Sequence, residues 1–124
     1  MNSSERVFIA VDGSNFYHRL KEIPELKGKL LSFGYGEFAA WLTSGRKLVS
    51  AKYYIGVVRA RLDDSKGQQL RSDQQRLFSR LRKSGWGIEF GYILDVDGKR
   101  HEKGVDVHIA SDILIGTYEN LYDT

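Results

Sequence analysis

The chain reads as an α/β protein, with a doubly wound, mainly parallel sheet and helices on both faces, on three observations. Residues 6–12 form an apolar run without strict alternation, as a strand covered on both faces requires. Further strand-like runs at 48–58 and 86–95 alternate with helix-like segments. Joining parallel strands through helices then demands right-handed crossovers on the sheet faces. With 124 residues and 41% hydrophobic content, residues 1–124 can bury one core and form a single domain.

Taken in order, residues 6–12 predict a central strand. Ser14 or Asn15 can cap a helix running towards Glu22, which Pro24 and Gly28 end. Residues 26–36 read as loop. A second helix is expected over 37–43, with Phe38, Trp41 and Leu42 on one side and Gly45 as its stop. Residues 48–58 are rich in Val, Tyr and Ile, the composition of a second strand. From 66 to 83, Leu70, Gln74, Leu77, Phe78 and Leu81 share one face of an amphipathic helix closed by Gly85. Residues 86–95 predict a third strand, Asp97-Gly98 a turn that folds 99–102 back as a hairpin arm, and Val105–Tyr118 a last helix.

Composition narrows the chemistry. No cysteine is present, which removes disulfides, thiolate zinc sites and cysteine nucleophiles and fits a reducing compartment, the cytoplasm by default. His18, His101 and His108 lack zinc spacing. No apolar run approaches the roughly 20 residues of a membrane span, so no membrane partner is expected. The net charge of +3 permits a nucleic-acid partner without demanding one.

In an open α/β sheet, ligands bind beyond the C-terminal strand ends. Asp12 ends the first strand there, and Asp106 opens the last helix after Lys103-Gly104-Val105. If the fold brings both to one rim, they suit Mg²⁺ or Mn²⁺, hard ions that take oxygen ligands and keep several waters. Such an ion assists phosphodiester hydrolysis. Asn15 could orient a carboxylate or a phosphate, and Ser14 could cap the helix or bind a phosphate. Arg59, Arg61, Lys66, Arg71, Arg76, Arg80, Arg82 and Lys83 could track a phosphate backbone or simply form a solvated face. Tyr17 could stack on a base. Lys103 could neutralise a phosphate or stay in solvent.

Val11-Asp12-Gly13-Ser14-Asn15-Phe16, then Glu102-Lys103-Gly104-Val105-Asp106-Val107, Ser111-Asp112 and Tyr122-Asp123-Thr124 resemble the NYN-domain family, relatives of the PIN nucleases that include LabA-like proteins. The resemblance implies a PIN-like fold and a divalent-metal acidic pocket that cleaves RNA. Asp12 and Asp106 become metal ligands, Asn15 a polar pocket residue and Asp112 a further acidic position. Asp112 lies six residues beyond Asp106, about 9 Å along a helix and roughly 120° around it, so the two cannot easily grip one ion directly. In the resembled family the chain runs on past Tyr-Asp-Thr into another strand bearing carboxylates. The expectation is therefore an incomplete domain, weakly active or inactive, whose free strand edge beside residues 7–12 invites self-association or strand exchange. Alternatives are a non-catalytic RNA-binding or protein-assembly module that keeps the acidic pocket, and an enzyme acting on small phosphate esters.

Overall fold

The structure is a computed structural model that describes residues 4–26, 29, 32–56, 62–96 and 99–124, with backbone alone for 92–96 and 99–103. Its elements follow the expected alternation. Strand β1 (Arg6–Asp12) leads into helix α1 (Gly13–Lys21), a single 3₁₀ turn (Pro24–Leu26) and helix α2 (Tyr35–Thr43). Strand β2 (Lys47–Ile55), helix α3 (Ser65–Lys83), strands β3 (Gly87–Phe90), β4 (Tyr92–Val96) and β5 (Lys99–Lys103), and helix α4 (Val105–Tyr118) complete it.

Strands β1, β2 and β3 form a parallel sheet in that order, with Asp12 level with Tyr54. The middle strand is therefore β2, whereas the sequence predicts a central β1. An unbroken apolar run reports that both faces are covered, and says nothing about neighbours along the sheet. On its outer edge β1 meets the chain's own last residues: Thr124 N–H donates to the Arg6 carbonyl (3.0 Å) and Phe8 N–H to the Thr124 carbonyl (2.8 Å). The Arg6 guanidinium fixes this segment through Asp123 and the Asn120 carbonyl (2.7 Å). Hydrogen bonding to Arg6 holds the Asp123 carboxyl below its ordinary range.

The third strand is shorter than the expected 86–95, because the chain breaks at Gly91 and restarts as β4. That strand pairs antiparallel with β5 as a separate two-stranded arm, from Tyr92 opposite Lys103 to Val96 opposite Lys99. The arm is longer than predicted, and the Asp97-Gly98 turn lies outside the described residues, as does Gly28. Helix α2 begins two residues early, at Tyr35, and buries Tyr35, Ala39 and Thr43 at an i, i+4 spacing. Phe38 and Leu42 flank that stripe, and Trp41 stacks on Phe38 with ring centroids 6.5 Å apart, on the expected side of the helix but 75% exposed.

Alternation along the strands assigns the two faces. Val7, Ile9, Ala51, Tyr53 and Ile55 join Tyr35, Ala39, Leu77, Phe78, Leu81 and Trp86 in one core beneath α1, α2 and α3. Two of its polar handles are satisfied, Tyr53 Oη donating to the Gly13 carbonyl (3.1 Å) and Trp86 Nε1 to the Tyr35 carbonyl (3.1 Å), whereas the Tyr35 hydroxyl is buried without a hydrogen-bond partner among the described residues. The opposite face carries Phe8, Lys52 and Tyr54 under α4. There Tyr122 stacks on Phe8 with ring centroids 5.3 Å apart. Gly116 lies so close to Tyr122 that an added Cβ would fall 2.4 Å from its ring.

Candidate functional site

Helices α1 and α4 begin at the same end of the molecule, and their first turns enclose one open cleft of about 540 Å³. Asp12, Ser14, Asn15 and His18 line it from one side, Gly104, Val105, Asp106 and Val107 from the other. Asp12 and Asp106 therefore share a rim although they come from opposite ends of the sequence.

Local chemistry fixes Asp12. It is the N-cap of α1, in extended conformation (φ −71°, ψ 100°), and its Oδ1 accepts from Asn15 N–H at 3.3 Å. Gly13 then presses α1 onto the sheet: an added Cβ would stand 2.3 Å from Tyr53 Cε1 and 2.7 Å from the Tyr54 carbonyl oxygen. Only glycine permits that approach. On the other side, Gly104 adopts φ +92° immediately before α4, a left-handed turn glycine makes at no cost, and this delivers Asp106 in the first helical turn. A carboxylate there interacts favourably with the helix dipole, and the first-turn amides of both helices favour an anionic ligand.

Asp112 goes elsewhere. Its Oδ2 accepts from Tyr54 Oη at 2.7 Å, lies 3.7 Å from Lys52 Nζ and 3.6 Å from His108 Nε2, and does not line the cleft. Lys52 and His108 also face Glu89, at 3.4 and 3.7 Å. Burial, then the bond to Asp112, pushes the Tyr54 phenol up, so it remains a hydrogen-bond donor. This half-buried cluster ties α4 to β2 and β3. The helical offset from Asp106 foretold the separation; the partners, contributed by two strands, carried no local signal.

Of the remaining candidates, Ser14 and Asn15 sit in the cleft, and Tyr17 lies half-buried in an adjoining groove. Lys66, Arg71, Arg76, Arg80, Arg82 and Lys83 are exposed along α3. Arg59, Arg61 and the side chain of Lys103 lie outside the described residues. Sequence reasoning missed His18 as a cleft residue, although its i, i+4 relation to Ser14 places both on one side of α1.

Among the described residues, no group of three or more His, Asp or Glu side chains converges as a metal cage. The cleft offers two carboxylates and the Asn15 amide oxygen as hard oxygen donors in an open space, beside the Ser14 hydroxyl and the His18 imidazole. That set fits a Mg²⁺- or Mn²⁺-like ion that keeps most of its water. Among the described residues, no helix is long and apolar enough to cross a membrane.

Comparison with known families matches residues 6–124 to the NYN domain. A crystal structure of a protein of unknown function from Vibrio parahaemolyticus is similar, with 26% identity and a TM-score of 0.57 over 94% of this chain. The present chain spans 62% of that one's length. Comparison with curated proteins gives no significant match.

Proposed function

The chain belongs to the NYN-domain family, within the PIN-like nuclease superfamily, and on that premise we propose that its cleft binds RNA and hydrolyses a phosphodiester with the help of Mg²⁺ or Mn²⁺. The observation that carries the reading is Asp12 and Asp106 on one rim, each at the start of a helix. Two carboxylates facing an anionic backbone repel it unless a cation lies between them. Asp12 and Asp106 would hold that cation, which when bound polarises a phosphoryl oxygen and lowers the pKa of water.

The protein's own groups then position the substrate. The Asn15 N–H bond holds Asp12 in its cap orientation, and the Asn15 amide and Ser14 hydroxyl face the phosphate. Backbone amides at the starts of α1 and α4 add donors where negative charge accumulates. Asp112 acts at a distance, by anchoring α4 to the sheet and so fixing Asp106. Exposed Lys66 and Arg71, in the first turns of α3, would draw the RNA backbone to this side of the molecule.

Incubation of single-stranded RNA with the chain and Mg²⁺ or Mn²⁺ tests the reading. Cleavage should stop with chelator and fall at least about 100-fold in Asp12→Asn and Asp106→Asn, the scale of losing a charge-stabilising group. Equal cleavage by both variants would remove the assignment. A second reading, a non-catalytic RNA-binding module, draws support from the two-carboxylate donor set among the described residues. It predicts binding that survives chelation, falls steeply with salt and leads to no cleavage.

A further inference from the structure

Beside the acidic cleft, Ser14 and His18 also line a second hollow of about 350 Å³ between α1 and α3, so the two spaces adjoin. This groove differs in character from the cleft. Ile55, Leu77 and the half-exposed Leu70 give it an apolar floor, and Tyr17 contributes an aromatic wall. The Lys21 ammonium stands 4.6 Å from the centre of the Tyr17 ring. Asp73 puts a carboxylate at its α3 side, beside the Gln74 amide, whose Nε2 already donates to the Gly56 carbonyl at 2.9 Å. Burial, and secondarily Asp73, raise the Tyr17 phenol above its ordinary range, so it stays neutral and can donate a hydrogen bond.

We propose that this groove is a subsite for one unpaired nucleobase of the strand whose phosphate occupies the Asp12–Asp106 cleft, with Tyr17 as its stacking platform. An apolar floor, an aromatic face and a few polar groups at one side match a base, which is a flat π-surface with a hydrogen-bonding edge. The Lys21 ammonium covers one face of the Tyr17 ring, so a base takes that face only by displacing it, and the displaced ammonium is then free to meet a neighbouring phosphate. The occupant is single-stranded, because a base paired in a duplex cannot leave the stack to enter a side groove without paying for unpairing. The subsite rests on the reading of the cleft as an RNA site.

The test uses the full chain, a 12-nucleotide single-stranded RNA, and Ca²⁺ in place of Mg²⁺ to suppress cleavage. A single 2-aminopurine is moved along the strand. Its fluorescence should be quenched on binding at one register position, with wild type and Tyr17→Phe but not with Tyr17→Ala. Tyr17→Ala should weaken binding by about 5- to 150-fold, the range for loss of one stacked base. An abasic site at the quenched position should weaken wild-type binding similarly and leave Tyr17→Ala almost unaffected, a comparison that changes the ligand and leaves the fold alone. If Tyr17→Ala and the abasic strand bind like their parents while Asp12→Asn still alters binding, the subsite is refuted and the cleft reading stands. If Tyr17→Ala weakens binding but Asp12→Asn and Asp106→Asn do not, the groove binds RNA independently of the cleft, and the joint assignment is refuted. Absence of any RNA binding refutes both.

Discussion

Replacing Gly13 with alanine probes the junction on which the whole cleft depends. The new methyl carbon would lie 2.3 Å from Tyr53 Cε1 and 2.7 Å from the Tyr54 carbonyl oxygen. Tyr53 is fully buried and its hydroxyl is bonded to the Gly13 carbonyl, so neither the ring nor the β2 backbone can yield alone. Helix α1 must lift from the sheet. Overpacking of this kind costs about 1–3 kcal/mol, and the lower unfolded-state entropy of alanine returns about 0.5–1 kcal/mol. The net loss is up to about 2.5 kcal/mol, measurable as a lower urea midpoint at unchanged slope. Lifting α1 also moves Asp12, so divalent-ion affinity should fall about 10-fold or more. Gly36→Ala is the matched control: its Cβ would meet Ser84 at 3.7 Å, an ordinary contact inside α2, and should stabilise by about 0.5–1 kcal/mol. A Gly13→Ala protein as stable as wild type, with unchanged ion affinity, would refute the argument that this contact sets the position of Asp12.

Three further outcomes follow from the same geometry. Tyr54→Phe removes the donor to Asp112 and should cost about 1–3 kcal/mol in urea unfolding, with loss of protection in α4 amides by hydrogen exchange. Asp64→Ala removes the cap that accepts from Gly67 N–H at 2.9 Å and should cost about 0.5–2 kcal/mol, read by thermal melting. Asp123 has its carboxyl lowered by Arg6, so the stability it contributes is present above the unfolded carboxylate pKa of about 3.9 and drains as pH falls through the lower folded value. Wild type should exceed Asp123→Asn in stability at pH 7, and unfolding curves at successively lower pH should show the gap closing.

The fold was legible wherever it rests on local pattern. Apolar runs located β1 and β2, the spacing of Leu70, Gln74, Leu77, Phe78 and Leu81 located the buried side of α3 except at Leu70, which is 48% exposed, and Lys103-Gly104-Val105-Asp106 located the start of α4. Strand order was not legible. A run such as Val7 to Val11 reports burial of its faces, whereas neighbours along the sheet depend on pairings between distant segments. Gly91 divided an apolar stretch that otherwise reads as one strand, and Trp41 went to the surface because Tyr35, Ala39 and Thr43 already supply the stripe that α2 buries. Within the cleft, Asp12 could be placed in advance at the sheet's C-terminal edge, where β1 ends, but the return of Asp106 to that edge was only a condition, because the arm before α4 pairs β4 with β5 apart from the parallel sheet. The company kept by Asp112 could not be read in advance, since Lys52, Tyr54 and Glu89 approach it only after the sheet has formed.

The central claim is that Asp12 and Asp106 jointly hold a divalent cation, and Mn²⁺ titration followed by electron paramagnetic resonance addresses it without requiring turnover. Wild type should take up the ion, Asp12→Asn and Asp106→Asn should each weaken uptake at least about 10-fold, and Asp112→Asn should change it far less. Equal uptake by wild type and both cleft variants, or a loss confined to Asp112→Asn, would contradict the account.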